Sequence, residues 1–294
     1  MNQQASSLEE VYRSTYRSCV QRGLALEAGG IPYEIQERAT GWAILVAAET
    51  AAQARSELEA YGQEDVAPPI TAHIPRPDSG WAGALGYAAV LVLVTVLQHR
   101  GSFGLDWIDA GKMHAGLVRR GELWRTVTAL TLHGDHVHLL ANVVIGGLVG
   151  LFAGQVLGSG LAWVSILIGG AAGNLLTAFI RPAGHTSIGA STAVFAALGL
   201  LAAHGWVLRR KMRASNFVRH APIIGAVVLL SYLGAGGERT DVLAHVMGFF
   251  AGGLLGLLYG WRGDRLPASR VVQQALGFAA LAILALAWVS AARA

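Results

Sequence analysis

The stretch Ile188-Gly189-Ala190-Ser191-Thr192-Ala193-Val194-Phe195 opens an apolar run that continues without a charged residue to Leu208. An α-helix needs about 20 such residues to cross a hydrocarbon core of about 30 Å, so the run reads as a membrane span with Ser191 at its mouth. A serine hydroxyl is a weak nucleophile until a base takes its proton. If Ser191 is a nucleophile, a base must lie at the same depth in the same bundle.

Six further apolar runs lie at about 81–98, 137–154, 161–180, 221–235, 242–260 and 271–291, each free of Asp, Glu, Lys and Arg. The run at 221–235 is the shortest. Pro182, Pro222 and Pro267 fall between runs, where a helix breaks or begins. Only 14% of the 294 residues are charged and 53% are hydrophobic, against about 25% charged in a soluble domain, and the mean hydropathy is +0.47. The expected fold is an all-α polytopic membrane helix bundle with a small N-terminal soluble α+β domain. The 38 glycines suit membrane helices that pack closely. A single cysteine, Cys19, excludes an intrachain disulfide and a thiolate zinc cluster. The net charge of +4 lies beside apolar runs, so it reads as flanking charge on membrane spans rather than a nucleic-acid surface. No cleavable signal peptide precedes the first apolar run near Trp81, which is expected to act as an uncleaved anchor.

Residues 1–66 read as a cytoplasmic αββα domain: a helix from Ser7 to about Glu27, strands at Ile31–Ile35 and Trp42–Ala47, and a helix from Glu49 to Tyr61. Its small size makes self-association or docking on a partner an expectation. Residues 67–80 form a Pro-rich linker, and residues 81–294 the membrane domain. Arg209, Arg210, Lys211, Arg213 and Arg219 follow the fourth span, and Arg262, Arg265 and Arg270 the sixth. By the positive-inside rule both loops face the cytoplasm, with the N-terminus inside and the C-terminus outside, as expected of a bacterial inner-membrane protein. The external loop 99–136 conflicts with that rule, because it carries Arg100, Lys112, Arg119, Arg120 and Arg125. A loop folded as its own structured element resolves the conflict.

Ionisable and polar groups within spans are costly and mark function. His138 and Asn142 are four apart on the second span and share a helix face. Ser191 lies in the first turn of the fourth, and His245 one turn past Asp241, a candidate N-cap, in the sixth. All enter from the external leaflet. His245 suits a general base. The Ser191 amide, at a helix start, suits an oxyanion donor, with Asn142 and His138 as further donors. Without Asp or Glu inside a span to orient His245, a Ser191–His245 dyad is expected. Phe195, one turn on, is placed to stack on the imidazole. Gly248 and Gly252 on the sixth span and Gly199 on the fourth suit a close helix approach. Each residue alone has a plainer reading as a packing serine, a buried histidine or interhelical glue. His133, His136 and His138 offer a rival metal site, but no carboxylate or thiolate completes a ligand set, so neither metal nor cofactor is expected. His185, His204 and His220 read as solvated.

Four motifs in order carry a resemblance. Glu122-Leu123-Trp124-Arg125 resembles the Trp-Arg motif of the rhomboid family of intramembrane serine proteases. His133 through Asn142 is similar to its His-x4-His-x3-Asn pattern, Gly189-Ala190-Ser191 to its Gly-x-Ser, and Ala244-His245-Val246-Met247-Gly248 to its Ala-His-x-x-Gly. The resemblance covers about residues 81–291. It implies a six-helix core plus a seventh C-terminal span, with Ser191 as nucleophile and His245 as base. It also implies oxyanion donors at His138, Asn142 and the Ser191 amide, an aromatic partner at Phe195, and single-pass membrane proteins as substrates. The alternative is an inactive relative that binds and escorts membrane clients. The family often has glycine where this chain has Thr192, which puts specificity in question before activity.

Overall fold

The computed structural model describes residues 8–65, 79–234, 241–263, 266–267 and 269–294. The chain divides into two compact units, Met1–Ile74 and Pro75–Ala294. All of the Pro-rich stretch except Ser79 and Gly80 lies outside the described residues.

In the first unit, strands β1 (Leu8–Ser14), β2 (Tyr33–Arg38) and β3 (Gly41–Ala47) form an antiparallel sheet ordered β1-β3-β2. Helices α1 (Tyr16–Ala28) and α2 (Ala51–Asp65) close a core of Cys19, Leu26, Ile44, Val46, Ala54 and Leu58. The order is therefore βαββα, which corrects the αββα expectation. Leu8–Ser14 is a strand, and the helix starts only at Tyr16, capped by the Thr15 hydroxyl. The reason is a register shift between Glu10 and Tyr12. Such a bulge breaks the period-two alternation by which a strand is recognised.

The second unit is helical. Among the described residues, six helices are long and apolar enough to cross a membrane: α3 (Trp81–His99), the composite His136–Leu157, α9 (Ser159–Ile180), α10 (Ser191–Lys211), α12 (Val242–Arg262) and α13 (Arg270–Ala291). The fifth apolar run is also a helix, α11 (Asn216–Gly234), but it begins with polar residues that include Arg219 and His220. Pro222 lies inside α11 rather than before it, because the helix starts six residues earlier at Asn216. Helix α10 is the centre: 67% of its apolar stretch is buried, against 11% for α13 at the edge.

Helices α10 and α12 meet along a glycine seam. A Cβ on Gly248, Gly252 or Gly256 would collide with the carbonyl oxygen of Thr192, Ala196 or Leu200, and one on Gly199 with that of Phe249. Helix α9 joins them, with Gly173 against Gly248 and Gly169 against Ala196 and Gly252. Backbones this close gain dispersion contacts that lipid cannot match.

The loop between the first two spans is a structured element. It contains α4 (Trp107–Gly111), a short strand β4 (Met113–His114), α5 (Ala115–Arg119) and α6 (Arg125–Thr128). Arg125 is buried at its centre. Its guanidinium donates to Glu122 at 2.6 Å and to the carbonyls of Asp109 (2.7 Å) and Lys112 (3.1 Å). Arg119 donates to the carbonyls of Ala178 and Arg181, and Lys112 pairs with Asp109. Three of the cations that conflicted with the charge rule thus have structural partners. Strand β4 pairs with β5 (Thr186–Ser187), just before Ser191, and the amides of Ala115 and Gly116 donate to His185 and Ala183.

Substitutions at three positions test this frame. Arg125→Ala leaves a half-buried carboxylate and two carbonyls without their donor, so it should lower stability by about 1–3 kcal/mol, read as a lower unfolding midpoint in detergent; Arg125→Lys, without the planar fork, should not restore it. Gly252→Ala should destabilise by about 1–3 kcal/mol through overpacking. Gly253→Ala, whose Cβ would meet only the Gly199 carbonyl at 3.9 Å, should leave the midpoint unchanged or raised.

Candidate active site

Ser191 is the first residue of α10. Its N-cap is Ala190, which supplies no side-chain hydrogen bond to the helix start, so the first amides keep their donor capacity. Gly189 sits at φ +126°, a conformation open to glycine alone, and its amide donates to the Ala129 carbonyl at 2.9 Å. The Gly-x-Ser turn is thus hung on the preceding loop element.

His245 lies one turn into α12. Asp241 caps that helix by accepting from the Ala244 amide at 3.2 Å. The glycine seam brings the two helices together here, and His245 Nε2 lies 2.8 Å from Ser191 Oγ. The Phe195 ring packs on the imidazole, with centroids 4.5 Å apart and planes at 39°. An imidazole in hydrogen-bond contact with a hydroxyl can take its proton.

His138 lies in α7 (His136–Ala141), whose N-cap Asp135 accepts from the His138 amide at 2.8 Å. The chain then passes through a π turn, Asn142–Gly146, into α8 (Gly147–Leu157). A Cβ on Gly189 would lie 2.7 Å from His138 Nε2 and 3.7 Å from Asn142 Nδ2. Both side chains therefore face the backbone that leads into Ser191, and the absent Cβ keeps the approach clear. Ser191, His245, His138, Asn142 and Gly189 line one open cavity of about 1110 Å³.

Asn142 is oriented by His133, which is fully buried. Asn142 Nδ2 donates to His133 Nε2 at 3.1 Å. One of its two N–H bonds is used there, and the other remains for a ligand. Burial, reinforced by the nearby His138, pushes the His133 pKa down to about 4, so His133 is neutral at pH 7 and can accept. The sequence pattern contained His133 but did not reveal this contact.

The remaining candidates fall outside the cavity. Trp124 and Arg125 belong to the loop element, and Gly199, Gly248 and Gly252 to the seam. Thr192 is buried, with its methyl 2.8 Å from where a Cβ on Gly173 would stand and 3.0 Å from one on Gly248. The β-branch fills a niche in the seam while Thr192 also lines the cavity.

Two of the three histidines expected to be solvated depart from that reading. His185 Nε2 lies 2.7 Å from the second Asp241 oxygen, and Arg181 approaches the first at 3.5 Å. The loop before Ser191 is thus tied to the cap of the His245 helix. His204 is buried within α10. His220, in α11, makes only an exposed contact one turn back, with Nδ1 2.8 Å from the Asn216 carbonyl oxygen, and nothing in it departs from that reading. Pairing between loop residues distant in sequence leaves no local pattern to read.

Comparison with known proteins supplies the family. Residues 120–262 match the family model of the rhomboid domain. The chain is 31% identical over 157 residues to Rhomboid-like protease 3 of Toxoplasma gondii, covering 53% of this chain and 59% of that protein. It is 29% identical over 152 residues to RHOMBOID-like protein 5 of Arabidopsis thaliana, covering 50% and 48%. It is 32% identical over 176 residues to Rhomboid protease GluP of Bacillus subtilis (strain 168), covering 57% and 33%. The matches thus span between about a third and three fifths of the length of these relatives. The matched segment begins just before Glu122 and ends at the close of α12, enclosing every motif discussed above, so these residues are a rhomboid domain, in a chain whose described residues include six helices long and apolar enough to cross a membrane.

Proposed function

We propose that this protein is an intramembrane serine endopeptidase that cleaves single-pass membrane proteins within or beside their spans. The observation that carries the reading is the 2.8 Å contact between Ser191 Oγ and His245 Nε2 at the edge of a cavity that also holds His138 and Asn142. His245 takes the hydroxyl proton as Ser191 Oγ attacks the scissile carbonyl carbon. Negative charge then develops on the carbonyl oxygen. The Ser191 amide, the second Asn142 N–H and the His138 ring are the donors that receive it. His245 next protonates the leaving amine, and the acyl-serine formed is released by water activated by the same imidazole. Phe195 packs on the imidazole and limits its rotation. The protease names of several relatives support the same class.

Topology follows the basic loops after α10 and α12. With α11 counted as a seventh crossing, this reading has the N-terminal unit in the cytoplasm and the C-terminus outside, in the cell membrane. The cavity then faces the external leaflet, where water reaches it.

Purified protein in liposomes should process a single-pass reporter. Ser191→Ala and His245→Ala should each lower kcat by about 10³-fold or more, and Asn142→Ala by about 10²-fold with little change in KM. A serine-directed fluorophosphonate should label wild type and not Ser191→Ala. Equal processing by all variants, or a wild type that neither cleaves nor labels, overturns the reading and favours an inactive client-binding relative.

His133 adds a pH dependence. Its folded pKa, about 4, lies below the ordinary 6.5, so as pH falls the unfolded chain takes up the proton first. The contribution of neutral His133 is complete above pH 6.5 and is lost between 6.5 and 4, by at most about 3 kcal/mol. Unfolding midpoints measured from pH 7.5 to 5 should fall for wild type and fall less steeply for His133→Gln. Parallel curves would exclude this origin.

A further inference from the structure

The helix that presents His138 and Asn142 is irregular at one place. Asn142–Gly146 is a π turn between α7 and α8. Such turns are rare and frequent at functional sites, and a group that inserts into the helical hydrogen-bond ladder is one cause of a break in it. Here the intruder is identifiable. Tyr87, on the neighbouring helix α3, places its hydroxyl 2.9 Å from the Asn142 carbonyl oxygen and donates to it. A Cβ on Gly146 would collide with that hydroxyl, so the glycine of the π turn opens the gap through which Tyr87 reaches the backbone.

Tyr87 is itself held. Its ring stacks on Trp163 of α9, with centroids 4.7 Å apart and planes 23° from parallel. The indole occupies space made by two more glycines, since a Cβ on Gly83 or Gly150 would collide with it. A rigid train thus runs from α9 through Trp163 and Tyr87 to the main chain of Asn142. The side chain of the same residue is fixed from the other direction by His133 at 3.1 Å. Asn142 is gripped twice, by its carbonyl and by its amide, through residues from two different parts of the chain.

We propose that Tyr87 is a positioning residue for the reaction: its hydroxyl holds the π turn open at Asn142 and so aims the carboxamide at the developing oxyanion. This rests on the protease reading of the cavity. A donor must lie within a few tenths of an ångström of the position the oxyanion will take. Rotating one residue of a helix by part of a turn moves its side chain by more than that. The Asn142 amide bonds the His138 carbonyl as in a regular α-turn, so the hold that Tyr87 has on the Asn142 carbonyl fixes the whole His138–Asn142 segment against Gly189. Tyr87 does not touch substrate; it acts through Asn142.

The experiment is a double-mutant cycle on the full-length protein in liposomes, with the single-pass reporter as substrate. Tyr87→Phe keeps the ring and its stacking on Trp163 and removes one O–H. It should lower kcat about tenfold while KM stays within twofold, as expected for a contact felt in the transition state. In an Asn142→Ala background the same substitution should change kcat less than twofold, because the group it positions is gone. Hydrogen exchange supplies a readout independent of turnover: amides of residues 142–147 should exchange faster in Tyr87→Phe, with those of α10 unchanged. A kcat within twofold of wild type, or the same tenfold loss in both backgrounds, overturns the proposal. If wild type neither cleaves nor labels, the protease reading fails on its own account. Exchange at 142–147 then decides Tyr87: acceleration retains its hold on the turn, and an unchanged rate removes it.

Discussion

Everything about the cavity depends on how close two helix backbones can come. Ser191 and His245 lie on separate helices, and a 2.8 Å hydrogen bond between their side chains requires α10 and α12 to pack with carbonyl oxygens against bare Cα atoms. Gly248, Gly252 and Gly256 on one side and Gly199 on the other allow this, and Gly169 and Gly173 of α9 extend the seam to a third helix. In water, the hydrophobic effect would drive such a bundle together. In lipid that drive is absent, and close contact between smooth faces takes its place. Glycine is unfavourable within an isolated helix, so its concentration along this one line records the value of the approach.

The second constraint is the turn before Ser191. A nucleophile at a helix start is useful only if the entering chain is fixed, and loops at a membrane surface are not fixed by default. Here the entering chain is stitched to the first interhelical loop through β4–β5, through Ala115 and Gly116, and through Gly189 to Ala129. Arg125 makes that loop rigid by binding carbonyls at Asp109 and Lys112 together with Glu122. The Trp-Arg motif thus lies outside the cavity and bears on it at one remove.

Much of this was legible in the sequence, and for one reason. A bilayer penalises polar atoms so heavily that Ser191, His245, His138 and Asn142 stand out against uncharged runs, and helical spacing assigns their faces. The glycine seam was legible as a four-residue repeat. What could not be read were contacts between elements distant in sequence. The π turn leaves the spacing of His138 and Asn142 untouched, and its cause, Tyr87, lies 55 residues away. The His185–Asp241 pair looks like two solvated loop residues until the loops are placed together. Strand β1 was hidden by its own bulge. The fifth run carried too short an apolar length to decide where its helix begins, and α11 starts well before Pro222.

The arrangement of helix caps ties these points together. Three helices start at the cavity, and every helix start has amide donors without intrahelical partners. Two of the starts are closed by carboxylates: Asp135 accepts from the His138 amide and Asp241 from the Ala244 amide. The third is different, because α10 has Ala190 at its N-cap and no side-chain cap. A buried helix start without a cap is costly unless a ligand or water completes it. On the proposed reading, the completing partner is the oxyanion of the substrate. Ala190 is itself in the αR conformation, φ −69° and ψ −9°, and not the extended one from which a side chain caps a helix, so backbone and side chain together leave this start open. The caps at α7 and α12 hold His138 and His245 still, and the missing cap at α10 leaves room for chemistry.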